Sequence, residues 1–332
     1  MRQRIAVIYN EPNPDLYEDI VEKKASLAIL DGVGAVHQAL TESGYPVSSL
    51  PLPPPLESAR EKLKTLEADL VFNLFEGFDG CPEAEASVVN SLSELGFTFT
   101  GCSGIALSMG LDKVKTKTRL AALGIDTPRY QLLDPKTISL FHLDYPCIVK
   151  PYAEDGSNGI SEESVVHDFA SLEKQVTTIS KRFRRRVLVE EFIDGREFNV
   201  TVLGTKKPRA LPVSEIVYSL PPDMPRILTF SAKWDPQSIY FERTKAVCPA
   251  EIDIELRERI SRTALTAFRL LGSRGYARVD FRLDTKGQLK VIEVNPNPDI
   301  SPDAGAALQS QAAGMTYNQF IEQIVQLALE AK

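Results

Sequence analysis

Cysteine and histidine are both scarce in this chain, and their scarcity excludes several kinds of site. The four cysteines lie far apart and form no CxxC pair, so their spacing supports neither a zinc site nor a small disulfide-stabilised scaffold. They are Cys81, Cys102, Cys147 and Cys248. The three histidines stand alone, and no Cys/His or Ser/His arrangement typical of nucleophilic catalysis is evident. The chemistry is therefore expected from other side chains.

Long apolar runs and an excess of positive charge are also missing. No run approaches the roughly 18 apolar residues that a membrane span needs. The first residues lead directly into a short apolar run at residues 5–8, which is too short for a signal peptide. A net charge of −7 argues against a nucleic-acid partner, because such proteins normally present a basic surface. We therefore expect a cytoplasmic protein without membrane or nucleic-acid partners.

One basic stretch departs from this acidic balance, namely KRFRRR at residues 181–186. The residues before it predict a helix that ends here, where cations complement the negative end of the helix dipole. Two interpretations stay open for this stretch: a solvated helix end, or a patch that binds an anionic ligand.

The length of 332 residues fits two or three compact domains. In the first third of the chain, short apolar runs alternate with predicted helices, which indicates a parallel α/β sheet. These runs lie at residues 5–8, 70–74 and 97–99. Pro46 and the PLPPP segment at residues 51–55 predict an irregular connection between the first two helices.

The rest of the chain predicts two α+β domains. The middle one would contain a helix capped by Asp112, strands at 147–150 and 187–191, and a helix at 170–182. Strands predominate after it, with predictions at 198–203, 210–218 and near 227–231 before a long helix at 254–271. The predicted first, middle and last domains span residues 1–111, 112–194 and 195–332.

Two stretches with strict alternation are the most informative part of the sequence. They are ARVDF at residues 277–281 and VIEVN at residues 291–295, with a predicted turn at 284–287. In each stretch, two polar side chains share one face because they lie two residues apart. These side chains are Arg278, Asp280, Glu293 and Asn295. Paired as a hairpin, they would gather hard oxygen ligands beside an arginine, which suits Mg²⁺ bound to a polyphosphate; a solvated polar hairpin face is the alternative.

A glycine-rich segment, DGSNG at residues 155–159, follows the predicted strand that carries Lys150. Its glycines let the backbone approach a ligand and direct N–H groups at phosphate oxygens. By itself such a segment is most often an ordinary turn. With Lys150 before it and the oxygen-ligand face after it, we predict a phosphate lid formed by Gly156 and Ser157.

These motifs resemble those of the ATP-grasp enzymes, and of the D-alanine–D-alanine ligase branch in particular. Besides the paired Arg-x-Asp and Glu-x-Asn motifs, five segments appear in the family's order. They are VFNLFEG at 71–77, FTGCS at 99–103, LDK at 111–113, IVKP at 148–151 and LVEEFI at 188–193. The resemblance implies an ATP-grasp fold preceded by a parallel-sheet α/β domain, and a ligase that uses ATP. It also implies that a carboxylate attacks the γ-phosphate to give an acyl phosphate, which an amine then attacks.

The resemblance assigns roles to individual residues. Those implied to hold ATP are Lys113, Lys150, Gly156, Ser157, Glu190, Glu191, Ile193, Glu197 and Ile292. Those implied to hold magnesium, or manganese in its place, are Asp280, Glu293 and Asn295. Arg278 would stabilise an oxyanion, Lys233 would neutralise the transferred phosphate, and Ser157 would lie over the γ-phosphate and the reacting carboxyl.

The substrate half of the sequence departs from the family pattern. The segment at residues 10–22 lacks the family's Glu-x-Ser-Leu, and Phe75 and Glu76 replace its histidine–glycine pair. Beyond Asn295, Asp299 stands where the family has a loop glycine. Ala304 lies near the position at which the family has a serine that binds the acceptor carboxylate. The residues predicted to meet substrate here are Glu76, Asp299, Ser301 and Asp303.

Three functions are compatible with this pattern. The first is an ATP-dependent carboxylate–amine ligase whose substrates are not two D-alanines. The second is a genuine D-alanine–D-alanine ligase with altered contacts, and the third is a non-catalytic nucleotide-binding protein. The complete metal motif and the retained Lys150 and Lys233 favour an enzyme. Small-molecule carboxylates and amines are the expected partners, and the resemblance implies a homodimer formed through the first domain.

Overall fold

Three β-sheets organise the part of the chain that the structure describes, one within each of the three predicted domains. The computed structural model describes residues 2–154 and 156–331, so Asp155 of the glycine-rich segment lies outside the described residues. The mixed α/β architecture is as predicted, while the domain boundaries stay a prediction.

The first sheet is parallel, with strand order β2-β1-β3. Its strands are β1 (Ile5–Asn10), β2 (Val47–Leu52) and β3 (Leu70–Asn73). Its helices are α1 (Ile20–Leu27), α2 (Ile29–Glu42), α3 (Leu56–Lys64), α4 (Ala84–Glu94) and α5 (Gly104–Leu111). The predicted parallel α/β layer is confirmed.

Two local predictions in this domain are wrong, the first only in part. Residues 47–52 of the connection expected to be irregular form β2, in which Pro51 pairs with Tyr9, whereas residues 53–55 lie outside any strand or helix. Because β2 lies at the edge of the sheet, the missing N–H of a proline is tolerated there. The run at 97–99 forms no strand, and only Phe99 makes an isolated parallel bridge, to Val71.

The middle sheet is antiparallel, with strand order β4-β7-β5-β6. Its strands are β4 (Tyr130–Leu133), β5 (Cys147–Pro151), β6 (Val165–Val166) and β7 (Val187–Glu191). Its helices are α6 (Lys113–Ala122) and α7 (Phe169–Phe183). The Asp112 carboxylate accepts a hydrogen bond from Lys115 N at 2.9 Å, so the predicted cap of α6 is confirmed.

The last sheet is also antiparallel, with strand order β11-β10-β8-β12-β13, and β9 pairs with β8. Its strands are β8 (Gly195–Gly204), β9 (Arg209–Ala210), β10 (Ser214–Tyr218), β11 (Thr244–Val247), β12 (Gly275–Asp284) and β13 (Leu289–Asn295). Its helices are α8 (Phe230–Trp234), α9 (Ile239–Arg243), α10 (Ile254–Leu270), α11 (Gly305–Ala312) and α12 (Tyr317–Glu330).

The strand predicted near residues 227–231 is wrong, because the short helix α8 begins there. The hydroxyl of Thr229 accepts a hydrogen bond from Ala232 N at 3.0 Å and thereby caps this helix. A short apolar run cannot by periodicity alone distinguish a strand from a buried helical turn. The predicted strand at 210–218 is divided into β9 and β10.

One hydrophobic core joins the two ends of the chain. Phe72 of β3, Tyr276 of β12 and Phe320 of α12 are fully buried in the same cluster. The helix at the end of the described chain therefore packs on the first sheet and fixes it against the last one. Within residues 2–154 and 156–331, no helix is both long enough and apolar enough to cross a membrane.

Candidate active site

Strands β12 and β13 form the antiparallel hairpin that the sequence predicts. Arg278 lies opposite Asn295, and Asp280 lies opposite Glu293, so the four polar side chains share one face. A bulge follows Asp280 and leaves Ile292 without a partner in the register. The hairpin thus gathers two carboxylates, an amide and a guanidinium on one surface.

Arg278 and Asp280 form a bidentate ion pair in which both N–O distances are 2.7 Å. Burial by itself lowers the pKa of Arg278, but the Asp280 carboxylate outweighs it, so the pKa lies above the usual range. Burial raises the pKa of the Asp280 carboxyl, against the opposing effect of Arg278. The guanidinium is therefore a fixed positive charge at a defined position on the sheet.

Cations from four elements converge on Glu293. Lys113 lies at the start of α6, with its Nζ 3.5 Å from Glu293 Oε2, and it donates to the carbonyl of Glu154 at 2.6 Å. Burial would raise the pKa of Glu293, but Lys113, then Lys150, Arg278 and Lys233 together lower it to about 2. Such a set of cations around one acid suits a polyphosphate with its metal ion.

A second acid, Glu190 of β7, lies between two lysines. Its Oε2 is 2.8 Å from Lys150 Nζ, and its Oε1 is 2.9 Å from Lys117 Nζ. All three side chains are buried. Burial raises the pKa of Glu190, but Lys117 and Lys150 outweigh it, so the carboxylate stays ionised.

The end of β7 and the start of β8 place the other predicted nucleotide contacts. Glu191 accepts from Lys290 Nζ at 3.0 Å, and Ile193 is buried beside it. Glu197 Oε2 lies 2.5 Å from Arg282 and accepts from the hydroxyl of Tyr218 at 2.6 Å. These partners fix both acids before any ligand arrives.

The glycine-rich segment and α8 face the same space. Gly156 and Ser157 both adopt left-handed backbone conformations, with φ values of 67° and 64°. Ser157 is one of two non-glycine residues with positive φ in the described chain, and this strained conformation is typical of functional loops.

Lys233 lies on α8 and lines the same cleft. Burial lowers the pKa of Lys233, as does Arg278, while Glu293, Asp280 and Asp299 act in the opposite direction.

A single cleft of about 1660 Å³ is lined by every residue predicted for the site. The volume exceeds the ~300–1,000 Å³ that is typical of small-molecule pockets, so it has room for a nucleotide and further substrates. Among the described residues, no three His, Cys, Asp or Glu side chains form a metal cluster. The residues predicted to hold an ion, Asp280, Glu293 and the amide of Asn295, offer hard oxygen ligands of the kind that suits magnesium.

The acidic end of the cleft contains the predicted substrate residues Glu76, Asp299, Ser301 and Asp303. Asp299 Oδ1 accepts a hydrogen bond from Ser301 N at 2.8 Å. Burial, and then the charges of Asp299 and Asp303, raise the pKa of Tyr317. These effects indicate that both aspartates lie close to the same tyrosine.

The charge of Asp299 acts on Arg278 and Lys233, whereas two cations outside the cleft lining have other partners. Lys290 pairs with Glu191, and the Arg274 guanidinium stacks over Phe99 at 4.5 Å from the ring centroid.

Sequence reasoning missed three residues that shape the site. Asn297 donates to Glu85 Oε1 at 2.7 Å and ties the loop after β13 to the first domain. Lys117 pairs with Glu190, and its position one helical turn after Lys113 was the available signal. Arg182 contacts Glu22 Oε1 at 2.8 Å.

The basic run at 181–186 thus fits neither earlier interpretation completely. Arg182 and Arg185 form ion pairs with the first domain, to Glu22 and Glu83 respectively.

Solved structures share the entire fold. The D-alanine–D-alanine ligase of Bacillus anthracis superimposes with a TM-score of 0.76 at 21% identity, covering 99% of this chain and 98% of that chain. The same enzyme complexed with ATP gives a TM-score of 0.73 at 22% identity, with the same coverage of both chains. At these identities the likeness establishes the fold alone, which is the ATP-grasp fold.

Sequence comparison identifies the family. The family model for the D-ala D-ala ligase C-terminus matches residues 108–326. An uncharacterized protein of Sinorhizobium fredii is 34% identical, covering 78% of this chain and 74% of that protein. The D-alanine–D-alanine ligase of Desulforudis audaxviator is 32% identical, covering 89% of this chain and 92% of that enzyme. The chain belongs to the D-alanine–D-alanine ligase family and is an ATP-dependent ligase, so the non-catalytic alternative is set aside.

Proposed function

We propose that this enzyme joins a small-molecule carboxylate to an amine through an acyl phosphate, and that its amine acceptor is not a second D-alanine. One observation carries the proposal. The cleft combines a cationic and oxygen-ligand surface at one end with the Asp299 and Asp303 carboxylates at the other, neither of which forms an ion pair among the described residues. The nucleotide half is retained while the acceptor half has changed.

At the nucleotide end, Lys150 and Lys113 bind phosphate oxygens, and the lid at Gly156 and Ser157 covers them. Asp280, Glu293 and Asn295 hold magnesium, and manganese could replace it. When bound, the metal neutralises charge on the phosphates during transfer. Arg278 and Lys233 offer positive charge where the oxyanion and the transferred phosphoryl group develop negative charge.

At the acceptor end, Asp299 and Asp303 repel the free carboxylate that a second D-alanine would bring. At a separation of ~4 Å, two like charges cost about 1 kcal/mol in water, and more in a desolvated cleft. The acceptor therefore has a second positive charge or lacks a free carboxylate. Ser301 and Glu76 complete this subsite.

Genuine D-alanine–D-alanine ligase activity is the second candidate. The specific observation in its favour is the name of the relative that matches along 89% of this chain.

A homodimer and a cytoplasmic location also belong to the proposal. The dimer is supported by exposed apolar side chains on the first domain that lie outside the cleft, including Ile20 and Leu27, and light scattering tests it.

Phosphate release decides between the two candidates. Purified enzyme with ATP and magnesium is supplied with D-alanine alone, and then with D-alanine and a panel of amines, diamines and amino acids. We expect turnover with cationic acceptors and little with D-alanine alone. Turnover of D-alanine alone at ~1–10³ per second, the usual range for enzymes, would establish the second candidate instead.

An acceptor-site variant provides the matched control for this screen. The double variant Asp299→Asn/Asp303→Asn removes both charges without changing side-chain size much. It should lose the preference for cationic acceptors and keep ATP binding.

A further inference from the structure

Lys117 is a buried cation that has no part in the mechanism above. It lies on α6, and its side chain is 1% exposed, as is that of Glu190. Its Nζ is 2.9 Å from Glu190 Oε1, while Lys150 Nζ is 2.8 Å from the other carboxylate oxygen. Glu190 and Lys150 line the cleft, whereas Lys117 is not among its lining residues in the described chain.

The charges of this cluster do not balance. Two ammonium groups share the Glu190 carboxylate, which leaves one net positive charge among these three buried side chains. The next carboxylate, Glu293, is shared with Lys113, Arg278 and Lys233. A buried charge without a counter-ion is costly. The Lys117 ammonium also lacks a hydrogen bond of good geometry. An anion that approaches Lys150 from the cleft would offset this imbalance.

Without Lys117 the local electrostatics would change. Lys150 and Glu190 alone would form a neutral ion pair, and the carboxylate would screen Lys150 from an incoming phosphate. With Lys117 present, one carboxylate is divided between two cations, so the pair keeps a net attraction for anions. Lys117 thus acts on the cleft through Glu190.

We propose that Lys117 is a positioning residue for the nucleotide polyphosphate: it holds Glu190 from behind and thereby keeps the charge of Lys150 available to the phosphates. This inference rests on the proposed function, which places the ATP phosphates at Lys150. It adds a residue that touches neither ATP nor substrate but sets the affinity for the phosphates.

The test is the affinity for nucleotides of different charge. Lys117→Met keeps the length of the side chain and removes its charge. Calorimetric titration with ATP and magnesium, ADP and magnesium, and adenosine should show about tenfold weaker ATP binding, equivalent to ~1.4 kcal/mol. ADP should lose less and adenosine nothing, because the effect depends on phosphate charge. Lys117→Arg should recover most of the ATP affinity.

Lys115 provides the matched control on the same helix. It is exposed and pairs with Asp112, so Lys115→Met should leave the affinities for all three nucleotides unchanged. An equal loss for ATP and adenosine in Lys117→Met, or no loss for ATP, would overturn the proposal, because a merely structural role would not discriminate by phosphate number.

A second variant keeps the test decisive if Lys117→Met folds poorly. Lys117→Met/Glu190→Gln retains Lys150 as the single net positive charge. Its ratio of ATP to adenosine affinity should return toward that of the wild type, and a ratio that is as low as in Lys117→Met overturns the proposal. Wild-type enzyme that binds ATP but forms no amide would refute the proposed ligase chemistry and leave this inference standing.

Discussion

At the scale of single residues, the site depends on acids surrounded by cations. Glu293 faces Lys113 and lies opposite Asp280 across the hairpin. Glu190 lies between Lys117 and Lys150. In both places the carboxylate holds the neighbouring lysines in position, so removal of the carboxylate should affect nucleotide binding more than folding.

Glu293→Ala should lower metal-dependent ATP turnover by roughly a hundredfold or more, because a charge-stabilising group is lost from a desolvated site. Turnover and magnesium-dependent nucleotide binding are measured beside the melting temperature. Glu258→Ala on the exposed face of α10 is the control and should behave as wild type. Retention of magnesium-dependent binding and turnover in Glu293→Ala would mean that the metal assignment is wrong.

Lys117 should produce a distinctive pH dependence of stability. Its pKa is lowered to about 8, and burial is the largest cause. Glu190 opposes this effect, Lys150 adds to it, and Glu293 opposes it. Between about pH 8 and the unfolded value the unfolded chain binds more protons at this residue, so the free energy of unfolding rises with pH there.

Denaturant titrations of the ligand-free protein at pH 7.5 to 10, compared with Lys117→Met, measure this contribution. The wild type should gain on the order of 1–3 kcal/mol relative to the variant over that range. Parallel curves for the two proteins would exclude a depressed pKa.

At the scale of elements, α2 shows how a helix positions the acceptor loop. A side chain on Gly32 would place its Cβ 2.8 Å from Ser301 Oγ, which is too close, whereas Gly34 on the same helix has open space around it. The absence of a side chain at residue 32 therefore lets the loop after β13 pack on α2.

The two glycines should respond in opposite directions to alanine. Gly34→Ala should raise the free energy of unfolding by up to about 1 kcal/mol, the difference in helix propensity. Gly32→Ala should gain less or lose stability, since Ser301 must move. Urea denaturation of both variants measures this, and adding Ser301→Ala to Gly32→Ala should recover the difference. Equal gains at both positions would show that the loop yields freely.

At the scale of the whole molecule, ion pairs bridge the cleft between the first and middle domains. Arg182 pairs with Glu22, and Arg185 pairs with Glu83. Arg182 also reaches Asn158 of the glycine-rich segment, at 3.4 Å. Through Arg182, which lines the cleft, these contacts connect the glycine-rich segment to the first domain.

Removing these pairs should loosen the lid. Arg182→Gln/Arg185→Gln should speed backbone hydrogen exchange at residues 156–161 in the ligand-free protein, and added salt should speed exchange in the wild type. Arg186→Gln is the control, because Arg186 forms no ion pair within the described part of the chain. Unchanged exchange in the double variant would show that the lid is independent of the first domain.

Local patterns in the sequence were sufficient for the hairpin, the capped helix after Asp112 and the parallel first sheet. Each depends on spacing that is read within one element or between neighbours. The same local reading failed at α8 and at β2, where a cap and a sheet edge outweigh the pattern. The residue types that form the site, from Lys113 to Asn295, were likewise evident from the sequence, although their positions in the cleft were not.

Only the tertiary structure decided which charges meet. Lys117, Lys150 and Glu190 come from three elements, and no spacing along the chain specifies that two ammonium groups share one carboxylate. The packing of Ser301 on Gly32 and the pairing of Arg182 with Glu22 are also long-range contacts. Sequence determines a residue's charge and the face of the element that it occupies. The burial of that residue and its partners are fixed only when distant elements pack together, and burial and partners set the pKa of its side chain and its affinity for ligands.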